Sequence, residues 1–230
     1  QQVTRRFPTA KLSLMSDSSL YPWLAHYPEG IDWHAPIEIA PLHTFVDRTV
    51  QKYPDNHVLD FKGKTYTYRE FGESVNRFAR GLHEMGCGKG TKIGLFMPNC
   101  PQYGIAYFGA LKAGATVVNF NPLNAMHEVE HHIRDSEVEV MVTLNLAMLY
   151  PKVAPFLGKT SLKKIIVGNF PSVLPPAQAA LYTVARAKDL AWFPHDEQHI
   201  AFADMLAHPA EVQSPNIDPA KDIAVLQYTG

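Results

Sequence analysis

His127-Glu128-Val129-Glu130-His131 satisfies H-E-x-x-H, in which two histidines one helical turn apart bind zinc and the glutamate serves as a base. Met126, Val129 and Ile133 form the apolar stripe of the same segment, so its histidines turn toward solvent, and no third ligand follows at a usable spacing. The better reading is a solvated helix face. Cys87 lies between glycines in Gly86-Cys87-Gly88-Lys89-Gly90. That run has the composition of a phosphate cradle, but it precedes a strand instead of following one and lacks the spaced Gly-Lys-Ser/Thr of a Walker loop. A third candidate is the stretch Ile223–Gly230. Apolar and β-favouring residues through Tyr228 give way to Thr229 and Gly230, a hydroxyl followed by a residue free to take positive φ. A strand that ends this way can turn a hydroxyl and backbone N–H groups toward a phosphate. Taken alone, Thr-Gly is more simply a plain turn.

The elements that must hold these residues can be read from hydrophobic period. Residues 1–40 are rich in Pro, Trp and Tyr without a period and read as an N-terminal arm. From 41 onward the chain reads as one α/β domain. Leu42, Phe45, Val46, Thr49 and Val50 follow helical spacing, and His57–Phe61 and Thr65–Thr67 flank the turn residues Lys62-Gly63-Lys64 as a hairpin. Thr67-Tyr68-Arg69-Glu70 is a capping box. It opens a helix with Phe71, Val75, Phe78, Leu82 and Met85 on one stripe and Gly86 as its stop. Strands at Thr91–Met97, Ala115–Phe120, Val138–Val142 and Lys163–Val167 then alternate with helices at Pro101–Lys112, Ala125–Asp135 and Asn145–Leu157. Short apolar strands separated by helices predict a doubly wound, mostly parallel sheet with helices on both faces. Residues 168–219 form a long proline-rich excursion with an amphipathic segment at Leu181–Trp192 and a shorter one at Ile200–Leu206, and Asp222–Tyr228 resumes the sheet.

Composition narrows the function. Twenty-one basic residues against 22 acidic ones give a net charge of −1, which argues against nucleic acid as the main partner. Two cysteines are too few for a disulfide framework and suit a reducing compartment, so a cytoplasmic location is expected. The most apolar region, Gly104–Phe120, contains Lys112 and is broken at Gly114, which excludes a membrane-spanning helix there.

Taken together, the motifs resemble a known family. Thr65-Tyr66-Thr67-Tyr68-Arg69-Glu70-Phe71, Lys92-Ile93-Gly94-Leu95-Phe96-Met97-Pro98-Asn99, Gly109-Ala110-Leu111-Lys112-Ala113-Gly114-Ala115, Val118-Asn119-Phe120-Asn121-Pro122-Leu123 and Leu226-Gln227-Tyr228-Thr229-Gly230 occur in the order and spacing of adenylate-forming (AMP-binding) enzymes. The Asn-Pro-Leu segment, the Gln-Tyr-Thr-Gly ending and the preceding excursion are most similar to bacterial long-chain fatty-acyl-CoA ligases. The resemblance covers about residue 41 to the end and implies that the chain is an incomplete first subdomain of the adenylate-forming fold. It implies a ligase that uses ATP, Mg2+ and CoA to convert a fatty acid to an acyl-adenylate and then to acyl-CoA. Thr229 and Gly230 would then open an ATP-phosphate loop. The family's adenine contacts, magnesium-binding acid and mobile lysine fall beyond Gly230, so the resemblance assigns no catalytic residue and no metal ligand here. The missing C-terminal part of the same protein becomes a partner, a homodimer is allowed, and the 230 residues alone are expected to be inactive. Leu181–Trp192, with Arg186 and Lys188, suggests peripheral contact with the inner membrane. Asn124 and His127 stand where the family often has Tyr and Arg, which leaves substrate range open. The other readings are an adenylate-forming ligase for medium-chain or aryl acids, or a non-catalytic nucleotide-binding α/β module.

Overall fold

A computed structural model describes residues 21–228. The described residues divide into two compact units, 21–38 and 39–228. In the first, a 3-10 turn at Pro22–His26 carries a cluster of rings, with Trp33 lying 5.7 Å from Trp23 and edge-on to Tyr27 at 5.3 Å between centroids.

The second unit begins with helix α1 (His43–Lys52), followed by an antiparallel hairpin of β1 (His57–Phe61) and β2 (Lys64–Thr67). Its turn holds Lys62 at φ 58° and Gly63 at φ 91°, and the Gly63 N–H donates to Asp60 Oδ1. The capping box forms as the sequence predicts. Thr67 Oγ1 accepts from the Glu70 N–H and the Glu70 carboxylate accepts from the Thr67 N–H, which starts α2 (Tyr68–Glu84). Helix α2 buries Phe71, Val75, Phe78 and Leu82. It ends where Gly86, at φ 75°, lets the Gly86 N–H reach the His83 carbonyl and the Cys87 N–H reach the Leu82 carbonyl, the paired bonds of a Schellman stop. Gly86–Gly90 is therefore a tight helix-to-strand connection.

Strand β3 (Lys92–Phe96) leads through Pro98-Asn99-Cys100 into α3 (Pro101–Lys112), then β4 (Thr116–Asn119), α4 (Met126–Ser136) and β5 (Val140–Leu144). Strand β6 (Lys164–Gly168), helix α5 (Pro176–Ala185), strand β7 (His199–Ala201), the short helix α6 (Phe202–Met205) and strand β8 (Val225–Gln227) complete the order. The main sheet has six strands in the order β7-β6-β5-β3-β4-β8, all parallel. Ile93, Leu95, Phe96, Met141, Val142, Ile165 and Ile166 are fully buried, as strands covered on both faces require. Each such side chain contributes about 1.5–3 kcal/mol of burial. The chain passes from β3 outward to β4 and then back past β3 to β5. Right-handed crossovers therefore put α3 and α4 on opposite faces of the sheet. Helix α3 packs closely on α2, because a Cβ at Gly109 would lie 2.8 Å from the Phe78 ring.

Three elements differ from the sequence reading. No α-helix spans Asn145–Leu157; two 3-10 turns at Tyr150–Lys152 and Ala154–Phe156 take its place. Pro151 and Pro155 each lack an N–H and would clash with a preceding carbonyl, so the segment cannot propagate an i→i−4 ladder. Leu181–Trp192 is not one amphipathic helix either. Helix α5 starts earlier and stops at Ala185, a 3-10 turn follows at Ala187–Asp189, and Leu190 then bridges to Leu146. Ile200–Leu206 divides into β7, which adds a strand to the sheet edge, and α6.

Lys112 explains itself only in three dimensions. Its ammonium, on a side chain 10% exposed at the carboxyl end of α3, meets Asp47 of α1 at 2.5 Å. Among the described residues no helix is long and apolar enough to cross a membrane.

Candidate functional site

Strand β8 lies at an edge of the sheet and is only three residues long, so its placement depends on what surrounds it. Parallel pairing to β4 sets Val225 opposite Val117, Leu226 opposite Val118 and Gln227 opposite Asn119. The approach to the strand is tied down as well. Thr116 Oγ1 donates to the Ile223 carbonyl at 2.9 Å, the Val117 N–H donates to the Ala224 carbonyl, and Asp222 pairs with Lys89 at 2.6 Å.

At its carboxyl end the strand meets a set of neutral polar side chains. Tyr103, on the first turn of α3, donates its hydroxyl to Asn119 Oδ1 at 3.0 Å, and Asn119 Nδ2 donates to Gln227 Oε1 at 3.0 Å. Burial pushes the Tyr103 phenol up, so it stays a donor. Met97, Pro98, Asn99, Tyr103, Asn119, Asn121 and Gln227 border an open cleft of about 380 Å³. In a doubly wound sheet, ligands bind outside the carboxyl ends of the strands, which is where this cleft sits.

Tyr228 turns the other way. Its ring stacks on His132 of α4 at 3.9 Å and 13° between planes, and its hydroxyl donates to Asp135 at 2.6 Å. Burial and the Asp135 carboxylate push the phenol up to about 12. Burial, reinforced by neighbouring His131, lowers the His132 imidazole below its ordinary value.

The candidates from sequence fall as follows. Thr229 and Gly230, expected to open the phosphate loop, lie outside the described residues; the strand that leads to them is placed as above. His127 and His131 of the H-E-x-x-H pattern are exposed on α4, and the carboxylate of Glu128 accepts from the Ala125 N–H at 2.6 Å, closing the helix start. Glu130 pairs with Arg134 along the same helix. Among the described residues no cluster of three or more His, Cys, Asp or Glu could hold a metal ion. Cys87 and Cys100 are buried and unbridged, and burial pushes the Cys100 thiol to about 11.

The polar chain of Tyr103, Asn119 and Gln227, and the pairing of Tyr228 with His132 and Asp135, were not found from sequence. Each partner set spans roughly a hundred positions and carries no local motif. The cleft presents amides and a phenol, suited to hydrogen-bonding neutral or anionic polar groups. It does not suit Mg2+, which is held through one or two carboxylates and substrate phosphates. No carboxylate is among the residues that border it.

A family model described as "AMP-binding enzyme" matches residues 46–230. Long-chain-fatty-acid–CoA ligase of Bacillus subtilis (strain 168) is 34% identical over 213 residues, 91% of this chain and 38% of that protein. The Salmonella typhimurium protein of the same name is 33% identical over 219 residues, 90% of this chain and again 38% of the relative. Among solved structures, a long-chain-fatty-acid-CoA ligase from Archaeoglobus fulgidus superposes with a TM-score of 0.65 at 20% identity, covering 85% of this chain and 35% of that one. An anthranilate CoA ligase in complex with anthranoyl-AMP gives 0.66 at 17% identity, over 86% of this chain and 33% of that one. These two likenesses concern the fold. The chain thus spans less than two-fifths of the length of the curated relatives it matches.

Proposed function

Because the chain belongs to the AMP-binding enzyme family, we propose that it is the first part of a longer ATP-dependent fatty-acid–CoA ligase. In the first half-reaction a carboxylate oxygen of the fatty acid attacks the α-phosphorus of ATP, and pyrophosphate leaves. In the second, the CoA thiol sulfur attacks the acyl carbonyl and AMP leaves, with the thiol proton passing to solvent. The observation that carries the reading is the 33–34% identity to long-chain-fatty-acid–CoA ligases over about nine-tenths of the chain. ATP, CoA and Mg2+ are the cosubstrates and cofactor of the longer protein, and no step is assigned here to the metal. In this reading Thr229 and Gly230 open the loop whose hydroxyls and amides meet phosphate oxygens, and what supports it is the pairing of β8 to β4 up to Gln227.

By the same reading, residues 1–230 alone form no acyl-CoA, and the protein works in the cytoplasm beside the inner membrane. The membrane contact is supported by the exposure of Leu181 and Val184 on α5, followed by Arg186 and Lys188.

The test is pyrophosphate and AMP release by the full-length protein given ATP, Mg2+, CoA and a fatty acid. Acid-dependent release with long-chain acids is expected. Release only with medium-chain or aryl acids moves the substrate class, and none with any carboxylate refutes the ligase.

A further inference from the structure

Between Pro176 and Ala185 only Gln178, Thr183 and the Tyr182 hydroxyl are polar, so helix α5 is apolar on nearly every side. None of its residues is buried, and Leu181 and Val184 are 68% and 82% exposed. A helix of that composition ordinarily sits in a core or in lipid. Beside it lies a groove of about 650 Å³, the size of a small-molecule site. Phe170, Leu181, Tyr182 and Ala185 form its apolar walls, with Phe170 edge-on to the Tyr182 ring at 5.1 Å between centroids. Lys62 and Arg186 are the only charged residues that line it. Lys62 and Gly63 both take positive φ in the hairpin turn, a conformation that Gly or Asn adopts more readily than Lys. Gln178 Nε2 donates to the Lys62 carbonyl at 3.3 Å, which ties this turn to α5 and holds Lys62 at the groove. Arg186 shares its charge with Asp189 at 3.5 Å, whereas among the described residues Lys62 has no carboxylate partner. From Leu174 to Lys188 the chain carries no acidic residue.

We propose that this groove seats one anionic phospholipid of a bilayer, its acyl chain along Phe170, Tyr182 and Ala185 and its phosphate at Lys62 and Arg186. Such a site rests on the membrane contact read for α5 and gives that contact a lipid preference. Two cations lining an apolar groove, with no acid lining it, select an anionic head group over a zwitterionic one. Leu181 and Val184 carry the exposed apolar surface past the groove, beyond what a single dissolved fatty acid would cover, so the occupant is a lipid that stays in its bilayer.

The experiment uses the full-length protein, sedimented with vesicles of phosphatidylcholine alone or mixed with phosphatidylglycerol. Calorimetry with lauroyl lysophosphatidylglycerol, held below its micelle concentration, reads the groove without a bilayer, and thermal melting reads the fold. Lys62→Gly removes one cation in a turn that glycine favours; Ala185→Trp fills the groove from an exposed position; Lys188→Gln removes an equal charge that does not line it. Wild type is expected to bind one lysolipid per chain and to favour the mixed vesicles. Lys62→Gly should weaken both about fivefold, as one basic group near an anionic head allows. Ala185→Trp should abolish lysolipid binding, Lys188→Gln should leave it unchanged, and no variant should melt below wild type without lipid. Equal losses in Lys62→Gly and Lys188→Gln mean diffuse surface charge and overturn the groove, as does lysolipid binding that survives Ala185→Trp. A lower melting temperature of lipid-free Ala185→Trp means that the rest of the protein fills the groove, which also overturns it. Laurate bound as tightly as the lysolipid makes the groove a fatty-acid seat and refutes the phospholipid. Vesicle binding without lysolipid binding leaves the membrane contact standing and refutes the groove alone; binding to neither refutes both.

Discussion

The pair formed by Lys112 and Asp47 makes an asymmetric prediction. The Lys112 side chain is 10% exposed and Asp47 35%, so the two ends of one ion pair differ in what they can fall back on. Replacing Asp47 by Ala leaves an ammonium beneath α1 with little access to water. That costs the desolvation of a charge in addition to the lost bond, about 2–3 kcal/mol. Replacing Lys112 by Met keeps most of the apolar stem buried on α3, and the Asp47 carboxylate can turn to solvent, for a loss of about 1 kcal/mol or less. The double variant should resemble Lys112→Met alone, because with no charge left behind the large penalty of Asp47→Ala disappears. Urea unfolding followed by circular dichroism measures this. With a slope of about 2 kcal/mol/M, Asp47→Ala shifts the midpoint by about 1 M and Lys112→Met by under half of that. A Lys112→Met loss equal to or larger than that of Asp47→Ala refutes the reasoning, since it would mean that the carboxylate is the stranded partner.

Other outcomes follow from single sites. His43 is 6% exposed and its imidazole is held below the ordinary value, chiefly by burial, so the unfolded chain takes up the proton first. Its contribution to stability is full above about pH 6.5 and is lost as pH falls below that value. His43→Gln should flatten the fall in melting temperature between pH 6.5 and pH 5. Glu128→Ala should lower the melting temperature by freeing the Ala125 N–H at the start of α4, whereas His131→Ala should leave it unchanged. A drop with His131→Ala that zinc reverses would restore the metal reading. Cys100, pushed to about 11 by burial, should resist a thiol reagent at pH 8 in the native protein and react once the chain is unfolded.

Much of the local structure was legible because its causes are local. The reciprocal bonds of Thr67 and Glu70 need residues three apart, and the stop at Gly86 needs one residue that tolerates positive φ. The strand–helix alternation from Lys92 to Leu144 follows from the change in hydrophobic period, and it carried the parallel sheet with it. The misread segments are those where a local rule was outweighed. Apolar spacing from Asn145 to Leu157 resembles a helix, but Pro151 and Pro155 remove the N–H groups a helix needs. Ile200 and Ala201, the first two residues of a segment read only as amphipathic, complete the edge of a sheet instead, because the Val167 strand offers open backbone groups there.

By itself, then, the sequence determined the strands from Lys92 to Leu144 with the helices between them, the cap at Thr67, the stop at Gly86 and the family, each set by spacing along the chain. Only the tertiary structure decided which distant groups meet. It gave Lys112 its carboxylate 65 positions away and brought Tyr228 to Asp135 across 93. It also put Tyr103, Asn119 and Gln227 into one chain of hydrogen bonds, with 108 positions separating the last two. The reason is physical. A turn or a cap is chosen by neighbours a few bonds apart, whereas the strand end at Gln227 and Tyr228 is held by side chains from β4 and α4, and nothing in the local pattern records which ones.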